Sequence, residues 1–267
     1  MAQMRFHCER DTLLINDLLV RGQESHLSQP EALVAFYAQQ LLGTPYVAHT
    51  LEGDTEMLTI DVCELDCTTF VETLYALART TMQGRYSWRD YAQCLESVRY
   101  QGGVMGDYST RLHYISWWII DNHSRNNLVE VTPDLPHATS LVKTINFMSH
   151  HADSYRSLKD DSLMVAKIRS TENALRGHKM PILKKSWLNK DDVKRELRNG
   201  DFVGLVTRIE GLDISHMGTI YKDENGEIFL LDASMSAGKV TLEPQPLGRW
   251  LKDGANTLGV RVFRMMP

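Results

Sequence analysis

The sequence contains no apolar run long enough to cross a bilayer: its longest candidate, Ile115 to Ile120, is short and flanked by Arg111, His113 and Asp121. An integral membrane segment is therefore not expected. No apolar secretion core follows Met1-Ala2-Gln3-Met4-Arg5, so no signal peptide is legible, and a chain whose leader had been removed would read the same. Positive charge is not in excess either: 29 Lys and Arg face 34 Asp and Glu, for a net charge of -5 and a pI near 6.1. Phosphate-binding surfaces need clustered cations. The one basic run (Lys184, Lys185, Lys190, Lys194, Arg195, Arg198) is interrupted by Asp191, Asp192 and Glu196 and reads as a solvated helix face, so no nucleic-acid partner is expected. The cysteines Cys8, Cys63, Cys67 and Cys94 are too sparse for a disulfide framework and fit no zinc ribbon, which leaves the compartment undecided. Internal repeats and low-complexity linkers are absent.

What is present is a chain of 267 residues, 43% hydrophobic and 24% charged, enough for one elaborated domain or two small ones. Leu33, Phe36, Tyr37 and Leu41 line one side of a helix expected over Gln29 to Leu42, which Gly43-Thr44-Pro45 ends. Phe70, Val71, Leu74, Leu77 and Ala78 form the buried stripe of a second helix over Asp66 to Thr80. Two more are expected over Trp88 to Val98 and Thr110 to Asn122. The last third changes period, with strands expected over Phe202 to Ile209, Ile214 to Lys222, Glu227 to Ala233 and Gly259 to Phe263, and a helical turn near Leu247 to Leu251. Helices followed by an antiparallel meander imply an α+β fold. Val129 to Trp187, long and polar, reads as an insertion.

Cys67 lies in the first turn of the second helix, where open backbone N–H groups and the helix dipole favour a thiolate. Taken alone, the position suits a small buried thiol as well as a nucleophile. Two starts are open for this helix: Asp66 as N-cap, or a capping box from Thr69 to Glu72 that would leave Cys67 just outside. Alternation puts Ile214, His216, Gly218 and Ile220 on one face of their strand, and Ile228, Leu230 and Asp232 on one face of the next. A five-residue hairpin loop, Lys222 to Gly226, would pair Tyr221 with Glu227 and so His216 with Asp232, whereas a four-residue loop would need a bulge. A thiol, an imidazole and a carboxylate are what amide cleavage asks for: a nucleophile, a base that becomes an acid, and a group that orients the base.

These residues resemble the NlpC-type papain-like superfamily of peptidoglycan hydrolases, in the order Asp66-Cys67-Thr68-Thr69-Phe70-Val71-Glu72, Gly200-Asp201, His216-Met217-Gly218 and Asp232-Ala233-Ser234. Gly43-Thr44-Pro45-Tyr46, Arg111-Leu112-His113-Tyr114 and Ser215-His216-Met217-Gly218 make the chain similar to that superfamily's N-acetylmuramoyl-L-alanine amidase-like branch, from about Thr12 to Arg264. The resemblance implies one papain-like α+β domain over 1–267, with N-terminal helices, the nucleophile helix on a C-terminal antiparallel sheet, and a family-specific insertion at about 129–187; the long separation of Cys67 from His216 leads to the expectation that this insertion walls the cleft. It implies hydrolysis of the amide joining N-acetylmuramic acid, in its 1,6-anhydro form, to L-alanine in muropeptides, by Cys67 as nucleophile, His216 as base and Asp232 as the orienting group. Asp232 stands where many superfamily members carry a second histidine. No metal or other cofactor is implied, a monomer is expected, and the implied location is the periplasm or cell envelope, with the cytoplasm as alternative.

Tyr46, Asp66, Arg111 and His113 complete the candidate set on the substrate and oxyanion side. The Tyr46 hydroxyl either helps hold an oxyanion or is that of a packed loop aromatic. Arg111 either meets a substrate carboxylate or pairs internally. Cys63, one turn before Cys67, reads as a packed thiol more readily than as a redox partner or metal clip, and His150 and His151 read as surface residues. Two rival functions fit the same residues: an endopeptidase cutting between D-glutamate and the diamino acid, and a non-catalytic muropeptide-binding protein.

Overall fold

Helices fill the first half of the chain because apolar residues recur at helical spacing between polar caps. A computed structural model describes residues 3–267; Met1 and Ala2, the start of the N-terminal stretch without an apolar secretion core, lie outside the described residues. Strand β1 (Met4–Phe6) precedes helices α1 (Asp11–Glu24) and α2 (Pro30–Gln40). Strand β2 (Leu58–Ile60) pairs in parallel with β1 and leads into α3 (Cys67–Met82) and α4 (Trp88–Arg99). In α3, Phe70, Val71, Leu74 and Leu77 are wholly buried, each burial stabilising by roughly 1.5–3 kcal/mol. The same helix buries Glu72, matched by Arg99 of α4 at 2.6 Å. Cys8 and Cys63 form a disulfide that ties the segment after β1 to the loop before α3, so Cys63 is neither an unpaired packed thiol nor a partner of Cys67.

The helix expected over Thr110 to Asn122 is shorter. Residues Tyr108–Thr110 form one 3-10 turn, and Arg111 pairs with Tyr100 as an isolated bridge. The Leu112 N–H donates to the Arg99 carbonyl, which commits the backbone to extended pairing, so α5 runs only over Ile115–Ser124.

The second half contributes β3 (Leu128–Glu130), β4 (Thr139–Val142), α6 (Phe147–His150), α7 (Ser162–Ala174), β5 (Lys179–Lys184) and α8 (Asp191–Glu196). Strands β6 (Phe202–Thr207), β7 (Ile214–Lys222), β8 (Ile228–Ser234) and β9 (Lys239–Leu242) then form a meander, followed by α9 (Leu247–Trp250) and β10 (Thr257–Met265). The sheet runs β4-β5-β10-β6-β7-β8-β9, with β3 also on β10, and its pairs are antiparallel. The molecule is thus mixed α and β around an antiparallel sheet. One sheet face packs Phe202, Met217 and Leu231 against α2 and α3; the other packs Val203, Ile220 and Leu230 beneath α8 and α9. No helix among the described residues is long and apolar enough to cross a membrane.

Within Val129 to Trp187, β5 pairs with β10 and is part of the sheet, whereas α6 and α7 build a small core of their own on Tyr108 and Tyr114. Ion pairs Arg156–Asp54 and Lys167–Asp107 fasten that excursion to the loops around Glu52 and Arg111.

Candidate active site

The start of α3 follows from its capping chemistry. Asp66 is the N-cap: its Oδ1 accepts the Thr69 backbone N–H at 2.8 Å, and the Thr69 hydroxyl returns to the Asp66 N–H at 2.8 Å. This capping box closes at Thr69, while Glu72 is committed to Arg99, so Cys67 is the first helical residue. Among the described residues no group accepts from the Cys67 or Thr68 backbone N–H; the Thr69 and Phe70 N–H groups go to Asp66. The half-buried Cys67 sulfur therefore sits beside two open donors at the positive end of a helix.

On the sheet, β7 carries a bulge at Ser215, since Leu205 faces His216 while Val206 faces Ile214. Bulges re-aim side chains, and this one adjoins His216. The β7–β8 hairpin closes at Lys222 and Ile228, two positions along from the expected register, so Asp232 falls opposite Gly218 and not opposite His216. The pair forms all the same, along the diagonal: His216 Nε2 donates to Asp232 Oδ2 at 2.6 Å. Glycine makes that possible. A Cβ on residue 218 would lie 2.9 Å from the Asp232 Cβ and 2.8 Å from both the Leu231 carbonyl oxygen and Leu230 Cδ1. The bare position leaves room for the carboxylate to lean across.

With Nε2 engaged, Nδ1 is the ring nitrogen left to face Cys67, which lies near enough to the imidazole to raise its pKa. Burial pulls the His216 pKa down, but the hydrogen bonds to Asp232 and Cys67, with their charges, outweigh it and push the value up to about 10. Asp232 is 1% exposed and has one oxygen, Oδ1, without a partner.

Tyr46 stands beside this group. Its loop is pinned to the sheet end by Gly43 N–H to the Val240 carbonyl and Tyr46 N–H to the Gly238 carbonyl. Burial, then the neighbouring Cys67 and Asp66, raise its phenol pKa. A cavity of about 150 Å³ opens from Asp66 and Thr68 onto His49, Glu52, Arg111 and His113. Arg111 is buried, paired with Glu52 at 2.9 Å and Glu56 at 3.5 Å, and lies over the Tyr108 ring. Internal pairing is thus the alternative the structure takes, although the residue still lines the cavity. His113 Nε2 donates to the Tyr108 carbonyl at 2.7 Å, and burial and Arg111 push its pKa down to about 3, so the ring is neutral. His150 and His151 are exposed and far along the chain excursion, and Gly200-Asp201 is structural: Asp201 is buried against Arg264 at 2.6 Å.

A wider depression of about 320 Å³ at the other end of α3, lined by Arg79, Arg85 and Arg125, offers no comparable chemistry; its thiol, Cys94, is pushed up by burial. The only group with metal-ligand spacing among the described residues, Cys8, Asp11 and Cys63, is closed by the disulfide. Sequence reasoning missed the disulfide, the Glu72–Arg99 pair and Glu243, a buried carboxyl next to Asp232. Only Glu72 carried a signal, as a charge inside an apolar helical stripe.

Residues 37–258 match the N-acetylmuramoyl-L-alanine amidase-like (AmiA-like) family. The chain is similar to a crystal structure of an N-acetylmuramoyl-L-alanine amidase from Bacteroides uniformis, at 34% identity and a TM-score of 0.83 over 89% of this chain and 99% of that one. A Bacteroides fragilis protein provisionally named a xylanase gives 38% identity and a TM-score of 0.80 over 86% of this chain and 100% of that one. Protein LPG0564 of Legionella pneumophila shares the fold, at 19% identity and a TM-score of 0.71 over 96% and 95% of the two chains. No curated protein matches the sequence. On the family match and the shared architecture, the chain belongs to the N-acetylmuramoyl-L-alanine amidase-like family.

Proposed function

We propose that this protein is a cysteine hydrolase of papain-like, NlpC-type design that cleaves the amide between N-acetylmuramic acid and L-alanine in peptidoglycan fragments. The observation that carries the reading is a thiol at a helix N-terminus near an imidazole whose Nε2 is held by a buried carboxylate. The Cys67 thiolate attacks the lactyl carbonyl carbon, and the open N–H groups of Cys67 and Thr68, with the Tyr46 hydroxyl beside them, receive the oxyanion. His216 gives its proton to the departing alanine nitrogen as the C–N bond breaks, leaving a muramoyl thioester on Cys67. Water then loses a proton to His216 and attacks the thioester, which releases the muramic carboxylate and returns the thiol. Asp232 keeps the ring oriented and stabilises its cationic form. A glycosidase would instead need two carboxylates flanking a sugar bond; the centre described here is a thiol–imidazole pair, which favours the amidase name among the relatives.

The substrate in this reading is a 1,6-anhydro-muropeptide in the periplasm or envelope, entering past Asp66, Thr68 and His113, and the excursion between β4 and β5 narrows access to short fragments. Incubation with anhydro-muropeptides, reducing muropeptides and intact sacculi, with products followed by mass spectrometry, tests it. A peptide with a free L-alanine amine, from the anhydro fragments foremost, is expected. Cleavage between D-glutamate and the diamino acid, or binding without turnover, would replace this reading by one of its rivals.

A further inference from the structure

The antiparallel register places a second carboxyl behind Asp232. Leu231 faces Leu242 and Asp232 faces Thr241, so Glu243, one residue beyond β9, falls opposite Leu230; its backbone N–H donates to the Leu230 carbonyl at 2.8 Å. Glu243 therefore shares Asp232's sheet face, displaced by two residues along the strands. His216 is displaced by two in the opposite sense on β7, since Asp232 lies opposite Gly218. His216, Asp232 and Glu243 thus lie on one straight diagonal across three strands. Glu243 is 8% exposed, with Ser234 and Trp250 as polar neighbours of its carboxyl. An indole N–H can only donate, so that neighbour favours the ionised form of the carboxyl. Asp232 turns Oδ2 to His216 and keeps Oδ1 buried without a partner, so His216 is its only donor among the described residues.

We propose that Glu243 is a positioning residue of the site: an ionised second carboxylate whose charge, added to that of Asp232, keeps His216 protonated beside Cys67. The inference rests on the Cys67–His216 reading of the site and not on the identity of the substrate. Burial, followed by the Asp232 charge, raises the Glu243 pKa, while Ser234, His216 and Trp250 lower it. The titratable groups facing His216 are Cys67 from α3, Asp232 from β8 and Glu243 past β9. Tyr46 and Asp66 are neighbours of Cys67.

Removing a negative charge disfavours imidazolium, so Glu243→Gln should lower the His216 titration. Two diagonal steps amount to roughly 10–15 Å, and at an effective dielectric of about 20 one unit charge there is worth about one pH unit. The experiment is NMR titration of the His216 ring together with the pH dependence of Cys67 alkylation by iodoacetamide, in the unaltered protein, Glu243→Gln and Glu243→Asp. The proposal expects both curves to move down by about one unit in Glu243→Gln and to stay in place in Glu243→Asp. A folded Glu243→Gln protein with unmoved curves overturns it while leaving the thiol–imidazole pair intact. Alkylation of the unaltered protein that ignores His216→Ala overturns both the inference and the reading beneath it. If Glu243→Gln does not fold, carboxyl titration of the unaltered protein decides: Glu243 must be ionised while His216 is still protonated, and a Glu243 that stays protonated throughout overturns the proposal.

Discussion

Gly218→Ala is the substitution that probes the site's architecture most sharply. No unusual backbone conformation is at stake; the question is space. The new methyl would stand 2.8 Å from the Leu231 carbonyl oxygen, 2.8 Å from Leu230 Cδ1 and 2.9 Å from the Asp232 Cβ. Two of these three atoms belong to backbone or lie next to it, so β8 itself must shift. Overpacking of this kind costs about 1–3 kcal/mol, or a melting temperature lower by roughly 2–10 °C in a chain of this size. The shift falls on the residue that holds His216, and a displacement of about 1 Å in a catalytic array costs on the order of 100-fold in rate. Gly204→Ala is the control. Its methyl would meet the end of the Ile214 side chain, which can swing away, so a smaller stability loss and little change at Cys67 are expected. Melting followed by circular dichroism, with Cys67 alkylation rates alongside, reads both effects. A Gly218→Ala protein with unchanged melting and unchanged alkylation would refute the argument that the bare position makes the diagonal hydrogen bond possible.

Other outcomes follow from the same geometry. Cys67→Ala removes the thiol from the first turn of α3 without disturbing its cap, so amide turnover should vanish while melting stays within a few degrees. His216 has a folded pKa raised from 6.5 to about 10, so its stabilisation is complete below about pH 6.5 and lost as pH rises towards 10; melting temperature should fall across that window, and His216→Gln should flatten the slope. His113 is the opposite case, lowered from 6.5 to about 3, with stability lost as pH falls between those values, so His113→Gln should blunt acid sensitivity there. The Cys8–Cys63 bridge spans a sequence separation of 55 residues, for which loop closure predicts roughly 4 kcal/mol. Dithiothreitol should therefore lower the melting temperature of the native protein and leave Cys8→Ser/Cys63→Ser unmoved.

The sequence made the α3 stripe and the β6–β8 meander legible because both carry a strong periodicity, and their predicted limits lie within two residues of those observed. It placed Cys67, His216 and Asp232 on the right elements for the same reason. Register was another matter. Parity put His216 and Asp232 on one face, but only the closed hairpin shows that they meet on the diagonal, with Gly218 vacating the space between. The ambiguous start of α3 turned on whether Glu72 caps the helix, and a tertiary partner, Arg99, took it away. Helix α1, strand β9 and the loss of helix at Arg111 are not legible in the sequence, because a weak amphipathic stripe, a four-residue strand and a pairing with Arg99 leave little local trace. The disulfide depends on a contact between β1 and the loop before α3, which no spacing rule reveals.

A muramoyl thioester is the intermediate that no rival reading shares, and trapping it is the most direct test. Muropeptide should be mixed with enzyme, quenched in acid within the first turnovers, and the digested protein weighed by mass spectrometry. The account predicts a muramoyl acyl group on the peptide containing Cys67, lost on treatment with hydroxylamine and missing from His216→Ala. A peptidyl adduct on that cysteine, or full turnover by Cys67→Ala with no adduct at all, would contradict it.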